Sequence, residues 1–209
     1  MQILSFTLGP ALTNTYLVAD ENSNEAVVID AASDAPIIQA EAEAHGWHIT
    51  QLWFTHAHFD HIGGAAGLVK ALPVRPSLAL HPADLPLWQA QGGARLFGLR
   101  CEPGPEPEVH LSHGQRLHLG SLEFEVRHAP GHTPGHVLFY CAVQQAMFCG
   151  DVIFAGSIGR TDLPGGDFGT LMQSIRDQVL SLPEETRLFP GHGEETTVGW
   201  EKSWNPFLP

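Results

Sequence analysis

Apolar residues recur along the chain in short runs separated by turn-forming residues, a pattern typical of strands. In the first half, such runs predict strands at 3–8, 15–19, 26–30, 49–55 and 77–80. Helical spacing of apolar residues predicts a helix over 33–45, ended by Gly46. Ser33 or Asp34 is expected to cap its first turn. A shorter helix is predicted at 64–72.

The second half repeats this alternation. Further strands are predicted at 117–119, 122–128, 137–141, 146–149 and 187–189. A helix is predicted over 171–182, and Thr170 with Gln173 gives a capping-box signal at its start. Its apolar stripe consists of Leu171, Ile175, Val179 and Leu182. A short helix near 197–204 follows. Two blocks of strands, each followed by helices, predict an α+β fold with two packed sheets and helices outside.

Residues 82–110 interrupt the regular pattern. A helical stretch at 82–90 is followed by Gln91-Gly92-Gly93 and by a proline-rich run at 101–107. A long irregular segment inside a domain is either a functional loop, such as a lid over a substrate, or a tolerated surface insertion. The sequence leaves both interpretations open.

Composition narrows the class of protein. An apolar fraction of 43% over 209 residues predicts one domain spanning 1–209, and no apolar run reaches the ~20 residues that cross a bilayer. The N-terminus lacks signal-peptide features and the three cysteines form no Cys-x-x-Cys pair, so a reduced, cytoplasmic protein is expected. The net charge of −13 argues against nucleic acid or an anionic membrane as a partner and leaves the oligomeric state open.

The first chemically distinctive segment is His56-Ala57-His58-Phe59-Asp60-His61, which directly follows a predicted strand. Neutral imidazole and carboxylate are the ligands that zinc and similar divalent metals prefer. Side chains alternate along a strand, so His56 and His58 are expected on one side, with Asp60 and His61 at the following turn. The segment therefore predicts a metal site of one ion or two, against the weaker alternative of a chance cluster in a histidine-rich chain.

Three later positions share one arrangement, in which a predicted strand ends and a metal-binding residue stands beside glycine. They are Gly131-His132, Gly150-Asp151 and Gly191-His192. Glycine at such positions lets the backbone approach a crowded centre. Each position is a weak signal by itself, since Asp151 also suits the cap of a turn and His132 an ordinary loop. Together with the first segment they supply ligands on four loops, enough for two metals that share one carboxylate.

These motifs, in this order and over almost the whole chain, resemble those of the metallo-β-lactamase-fold hydrolases. The resemblance implies a four-layer αββα sandwich with two mixed sheets, in agreement with the two predicted blocks of strands. It also implies two divalent metal ions, with zinc expected and iron or manganese as alternatives. By this resemblance the first metal is held by His56, His58 and His132, the second by Asp60, His61 and His192, and Asp151 bridges both.

Within that superfamily the chain resembles the short, single-domain glyoxalase II (hydroxyacylglutathione hydrolase) group of bacteria. The resemblance is carried by residues 151–162, 190–192 and 205–208. It implies hydrolysis of a small-molecule thioester, S-lactoylglutathione or a similar hydroxyacylglutathione, by a metal-bridging hydroxide, with Asp60 orienting the water or receiving its proton. Larger glyoxalase II enzymes carry a C-terminal helical domain with basic residues for glutathione, and none is expected in a sequence that stops at Pro209.

Two alternative functions remain. A glutathione persulfide dioxygenase of the same fold would use a single iron held by His56, His132 and Asp151. A non-catalytic metal-binding or redox-partner module would be expected to have lost ligands, and none is missing. Hydrolysis of β-lactam antibiotics is not expected, because true metallo-β-lactamases generally lack the bridging aspartate.

Four further residues lie near the motifs in the sequence. Arg160 and Asp162 are expected to form a structural ion pair. His136 either supports a metal ligand or is an ordinary hydrogen-bonded histidine. Cys149 is expected to be a small buried apolar residue.

Overall fold

A computed structural model gives the fold and describes residues 1–208. Strands β1 to β6 are Gln2–Leu8, Thr13–Ala19, Glu25–Ile29, His48–Trp53, Ser77–Leu80 and Val109–His110. Strands β7 to β10 are Arg116–Leu119, Leu122–His128, Val137–Cys141 and Ala146–Gly150. Strands β11 to β14 are Ile153–Phe154, Ser157–Ile158, Arg187–Pro190 and Thr196–Thr197. Helices α1 to α6 are Ala35–His45, Phe59–Ile62, Ala65–Ala71, Leu85–Gln89, Phe168–Ser174 and Val198–Trp204.

The strands form two six-stranded sheets and a separate hairpin of β11 and β12. The first sheet has the order β1-β2-β3-β4-β5-β6, and the second has the order β14-β13-β10-β9-β8-β7. Pairing is parallel from β3 to β6 and between β10 and β13, and antiparallel between the other neighbours. Both sheets are therefore mixed, as the resemblance implied.

Strand β2 shows why the sheets occupy the middle of the molecule. Tyr16 and Val18 face the core between the two sheets, whereas Leu17 and Ala19 face the layer that contains α1 and α3. All seven residues of β2 are buried, as expected for a strand covered on both faces. In the second sheet, Phe148 faces the same central core. The order of layers is thus helix, sheet, sheet, helix, and the predicted αββα sandwich is confirmed.

The outer faces of both sheets are covered by apolar sides of helices. Ile38 and Ala42 of α1 pack with Leu68 of α3 against the first sheet. On the second sheet, the predicted stripe Leu171, Ile175, Val179 and Leu182 is buried. Among the described residues, no helix is long and apolar enough to cross a membrane.

The capping interactions predicted for two helices are not the ones that form. Asp34 occupies the N-cap position of α1 but has a left-handed backbone (φ 51°) and makes no capping bond, and Ser33 lies outside the helix. The capping box at Thr170 is displaced, because α5 begins at Phe168 and the side chain of Asp167 accepts the Thr170 N–H bond at 2.7 Å. A residue with a suitable side chain therefore lay three positions earlier than the pattern indicated.

Residues 82–110 form short helical turns that pack against α2. A 3-10 turn at Pro82–Asp84 precedes α4, and a second at Gln91–Phe97 follows it. The Phe97 ring lies 5.3 Å from that of Phe59 in α2, and Cys101 Sγ lies 3.8 Å from the Phe59 carbonyl oxygen. The segment is thus a packed wall against α2.

The close approach of this wall to α2 depends on Gly92. A Cβ at Gly92 would overlap the backbone nitrogen and Cα of Phe59, whereas a Cβ at Gly98 would meet nothing within 4 Å. The two glycines have similar left-handed angles, φ 62° and 70°. Gly98→Ala is therefore expected to cost about 1 kcal/mol of unfolding free energy from backbone strain alone.

Gly92→Ala adds overpacking to the same strain and is expected to cost about 1–3 kcal/mol more than Gly98→Ala. Urea denaturation of the two variants beside the parent protein measures the difference. Equal losses would show that the segment does not pack on α2 as described.

Candidate metal centre

Four loops that follow strand ends meet at one edge of the sandwich. They follow β4, β8, β10 and β13 and carry five of the predicted ligands, and α2, which continues the first loop, carries the other two, Asp60 and His61. Because β10 and β13 run parallel, their loops leave the sheet side by side. The loop after β13 also touches the first sheet, through a bridge between Thr13 and His192. The site therefore lies at the junction of the two sheets.

The seven side chains form overlapping groups of possible ligands. Within each group the candidate ligand atoms lie within 4.8 Å of one another. The groups are His56, His58 and His132; His56, His61 and Asp151; and Asp60, His61 and His192. The first and third correspond to the two predicted ligand sets. The explanation from strand alternation is wrong, however, because β4 ends at Trp53 and both His56 and His58 follow it in a loop.

Asp151 lies between the two predicted sets. Its Oδ1 is 3.3 Å from His61 Nε2, and its Oδ2 is 3.6 Å from His132 Nε2 and 3.5 Å from His192 Nε2. One carboxylate thus faces ring nitrogens from both sets, with Oδ1 toward His61 and Oδ2 toward His132 and His192. This is the position that a carboxylate shared by two cations requires.

Hydrogen bonds orient four of the five histidines toward the centre. Three Nδ1 atoms lie against a carbonyl or carboxylate oxygen, and the fourth lies against the Thr55 hydroxyl, which donates its own proton to Asp30. Each Nδ1 therefore carries a proton, and each Nε2 faces the other ligands. The partners are Thr55 Oγ1 for His56 (3.1 Å), Asp30 Oδ2 for His61 (2.9 Å), the Arg160 carbonyl for His132 (2.8 Å) and the Leu12 carbonyl for His192 (3.3 Å). His58 instead directs Nδ1 inward, 2.8 Å from His132 Nε2.

Several inward-facing atoms lack a protein partner that satisfies them. His61 Nε2 and Asp151 Oδ1 are buried and accept or donate no hydrogen bond among the described residues. His132 Nε2 lies near two further ring nitrogens, those of His58 and, at 3.2 Å, His56. An unsatisfied buried polar atom costs about 1–3 kcal/mol. Cations at these positions would satisfy all of these atoms, so the donor set fits bound metal.

The two predicted sets differ in charge. Burial, together with the neighbouring imidazoles, lowers the pKa of His56 well below its ordinary value and that of His58 to about 3. Burial also opposes the charge of His61 and His192, but the carboxylates of Asp151 and Asp60 outweigh it. They raise the pKa of His61 well above its ordinary value and that of His192 to about 9. In the metal-free protein His56 and His58 of the first set are neutral, whereas His61 and His192 of the second set carry protons.

Sequence reasoning missed Asp30 and Thr13, which support the second set. Asp30 is buried at the end of β3 and holds His61 through its Oδ2. It also accepts bonds from the N–H and hydroxyl of Thr55, at 2.8 and 2.7 Å. Thr13 Oγ1 donates to Asp60 Oδ2 at 2.8 Å. The available signal was the position of Asp30 as the last residue of an apolar predicted strand.

Asp84 was also missed, and it joins two of the ligand loops. This fully buried carboxylate accepts bonds from the Ala57 N–H (3.1 Å), the Thr133 hydroxyl (2.8 Å) and the Gly135 N–H (2.6 Å). Burial raises its pKa, although these three bonds oppose the shift. Asp84 thereby ties the loop of His56 to the loop of His132.

The structure shows the contacts of the four residues near the motifs, His136, Arg160, Asp162 and Cys149. His136 Nε2 accepts the Asp151 N–H at 3.0 Å, and its ring stacks on His56 at 4.7 Å, so it supports two predicted ligands. Arg160 pairs with Asp162 at 2.7 Å on the surface, which confirms the predicted ion pair. Cys149 is buried and free, as predicted.

Comparison with known proteins identifies the family. Residues 8–192 match the Metallo-beta-lactamase superfamily. The chain belongs to this superfamily. Its relatives include the hydroxyacylglutathione hydrolase GloC of Haemophilus influenzae, 37% identical over 197 residues that cover 93% of this chain and 92% of GloC. The predicted family and fold are therefore confirmed.

Two crystal structures from the superfamily cover nearly the whole chain. TTHA1623 in a di-iron-bound form is 44% identical, with a TM-score of 0.89 over 98% of this chain and 100% of that one. The B3 metallo-beta-lactamase BLEG-1 is 36% identical, with a TM-score of 0.92 over 99% of both chains. The superfamily binds metals, and this member has the histidine and aspartate clusters to hold them.

Metal binding to this superfamily member is expected to release protons from His61 and His192 of the second set and not from His56 and His58 of the first. A histidine must be neutral to bind metal, and at pH 7 only His61 and His192 have raised pKa values. The affinity for the second ion should therefore rise with pH through the pKa of His192, about 9. Titration calorimetry with zinc, in buffers of different ionisation enthalpy, measures the protons released by each ion. Equal release for both ions would contradict the assignment of charge.

Asp84→Asn is expected to weaken metal binding and to cost about 2 kcal/mol of stability, because one amide oxygen cannot accept all three bonds. Asp20→Asn is the matched control. Asp20 is also buried and accepts bonds from Asn22, Ser23 and Ser121, but it contacts no ligand loop. Both variants should unfold at lower urea concentration, and only Asp84→Asn should bind zinc more weakly. Unchanged zinc affinity in Asp84→Asn would refute the tie between the loops.

Proposed function

We propose that this protein is a binuclear metal-dependent hydrolase that cleaves thioesters, with S-lactoylglutathione or a similar hydroxyacylglutathione as substrate. The observation that carries the proposal is the Asp151 carboxylate between two complete sets of ligands. The hydroxyacylglutathione hydrolase GloC, at 37% identity over 93% of this chain, supports this choice of substrate.

The first ion would be held by His56, His58 and His132, and the second by Asp60, His61 and His192, with Asp151 shared. Bound ions would lower the pKa of a water molecule from about 15.7 toward about 7 and polarise the thioester carbonyl. The di-iron form of TTHA1623 supports two ions, and zinc and manganese suit the same nitrogen and oxygen ligands.

Asp60 is the residue proposed to orient the attacking water and to receive its proton. Burial opposes its charge, but His61 and His192 outweigh burial and lower its pKa, so the group is a carboxylate at neutral pH. The hydroxyl of Thr13 holds Oδ2, and the cavity at the centre is lined by Asp60 together with His58 and Phe97. A thiolate, with a thiol pKa of about 8.5, leaves without a dedicated general acid.

A second candidate is hydrolysis of β-lactams, which the similarity to BLEG-1 favours. The ring opening of a β-lactam expels an amine nitrogen, which is a much poorer leaving group than a thiolate and needs a proton. Once metal is bound, five of the proposed ligands offer no acid for that proton, since His56 and His58 are neutral and Asp60 is ionised. His61 and His192 would have released their protons to bind metal. We therefore favour the thioester.

The proposal predicts about two metal ions per chain in anaerobically purified protein and hydrolysis of S-lactoylglutathione by the same sample. Nitrocefin should not be hydrolysed, and glutathione persulfide should cause no oxygen uptake. One iron per chain with oxygen uptake and no thioester cleavage would refute the hydrolase and establish the dioxygenase.

Asp151→Asn tests the shared ligand. It is expected to lower kcat/KM for S-lactoylglutathione at least about a hundred-fold and to reduce the metal content, because a neutral amide is a weak ligand. Asp162→Asn removes a surface carboxylate from the same loop region and should change neither. Full activity and two metals in Asp151→Asn would exclude a bridging role.

A further inference from the structure

A cleft formed by three neighbouring cavities leads from the metal centre to residues 91–104, which are part of the wall that packs against α2. The cavity at the centre, about 210 Å³, shares Phe59 and Asp60 with a second cavity of about 240 Å³. The second shares Leu99, Arg100, Cys101 and Glu102 with a third cavity of about 1030 Å³. The three cavities are neighbours, since each shares lining residues with the next, and together they lead from the centre toward residues 95–100.

Two arginines without carboxylate partners line the far part of this cleft. Arg95 and Arg100 border the third cavity, and Arg100 borders the second as well. Neither forms an ion pair within 4.0 Å among residues 1–208. The arginines that do form such pairs are Arg75, Arg116, Arg127, Arg160 and Arg187. Glu102 lines the same cavities but pairs with neither arginine.

The negative charge of the whole chain makes the position of these two arginines beside one cavity significant. With a net charge of −13, the protein repels an anionic molecule that approaches the cleft. Only ten lysines and arginines are available, and two unpaired ones border the same cavity. A guanidinium matches the geometry of a carboxylate through two parallel N–H bonds.

The wall holds the arginines in place relative to the centre. Gly92 packs on the backbone of Phe59, the residue before Asp60, and the Phe97 ring contacts the Phe59 ring. Cys101, beside Arg100, lies against the Phe59 carbonyl. The backbone that carries both arginines is thus fixed to the helix that carries Asp60 and His61.

We propose that Arg100, assisted by Arg95, forms an anion subsite that binds a carboxylate on the thiol part of the substrate. This inference rests on the proposed function and makes it more specific, since it selects thioesters of acidic thiols. The thioester lies at the metal centre, the thiol part follows the wall past Phe97 and Leu99, and its carboxylate meets the guanidinium groups.

The test compares two thioesters on the metal-loaded enzyme. S-lactoylglutathione has two carboxylates on its thiol part, and S-lactoyl-N-acetylcysteamine has none. Arg100→Gln is expected to raise KM for the first about five- to ten-fold, with kcat within two-fold, and to leave both parameters for the second unchanged. Arg95→Gln should have a smaller effect in the same direction. The control is Lys202→Gln, which removes an unpaired exposed cation on α6 and should change neither substrate.

Equal rises in KM for both substrates, or no rise for either, would overturn the subsite. If the parent enzyme cleaves neither thioester, the proposed function fails, and the subsite is tested separately. S-methylglutathione cannot be hydrolysed as a thioester, and its binding to metal-loaded protein is measurable by calorimetry. A five- to ten-fold weaker Kd in Arg100→Gln would support the subsite without the hydrolase, and an equal Kd would overturn it.

Discussion

The structure depends on one electrostatic constraint, the burial of carboxylates and imidazoles where the two sheets meet. Asp151 and His61 are buried, and the inward-facing Asp151 Oδ1 and His61 Nε2 lie 3.3 Å apart without a hydrogen bond to any described residue. Isolated buried charges are costly, so each must be held against an opposite charge or a hydrogen-bond donor. The surrounding contacts meet this need. Asp30 holds His61, and His136 holds the backbone of Asp151, while Asp84 joins the neighbouring loops of His56 and His132.

The fold places these groups by ending strands of both sheets at one edge, which demands unusually close backbone contacts. Gly150 has φ 46°, and a Cβ there would overlap the hydroxyl of Thr55. Thr55 is in turn the partner of both Asp30 and His56. A side chain at residue 150 would therefore displace a hydrogen-bond chain that starts in the first sheet. Residue 150, beside Asp151, is thus required to be glycine by Thr55, which follows a strand of the other sheet.

Local patterns were sufficient for most elements and for the candidate ligands. Period-two alternation located strands such as β8, whose predicted bounds of 122–128 match the structure, and the density of histidines located the centre. Strands of two residues, such as β14, are too short to show a period. Asp84 was not recognisable, because a single aspartate before a helix usually caps it, and only the fold shows that it faces two distant loops. The contact of Gly92 with Phe59 was equally invisible, since it joins residues more than thirty positions apart along the chain.

The difference in charge between the two ligand sets links the stability of the fold to metal binding. In the first set His56 and His58 are neutral without metal, so these imidazoles can be close together with little repulsion. The second set is held by ion pairs between protonated His61 and His192 and the carboxylates of Asp60 and Asp151. Those ion pairs allow the metal-free protein to keep the site assembled. A cation that takes the place of the protons preserves the attraction to the carboxylates, so the second set can exchange one positive charge for another without rearranging the loops.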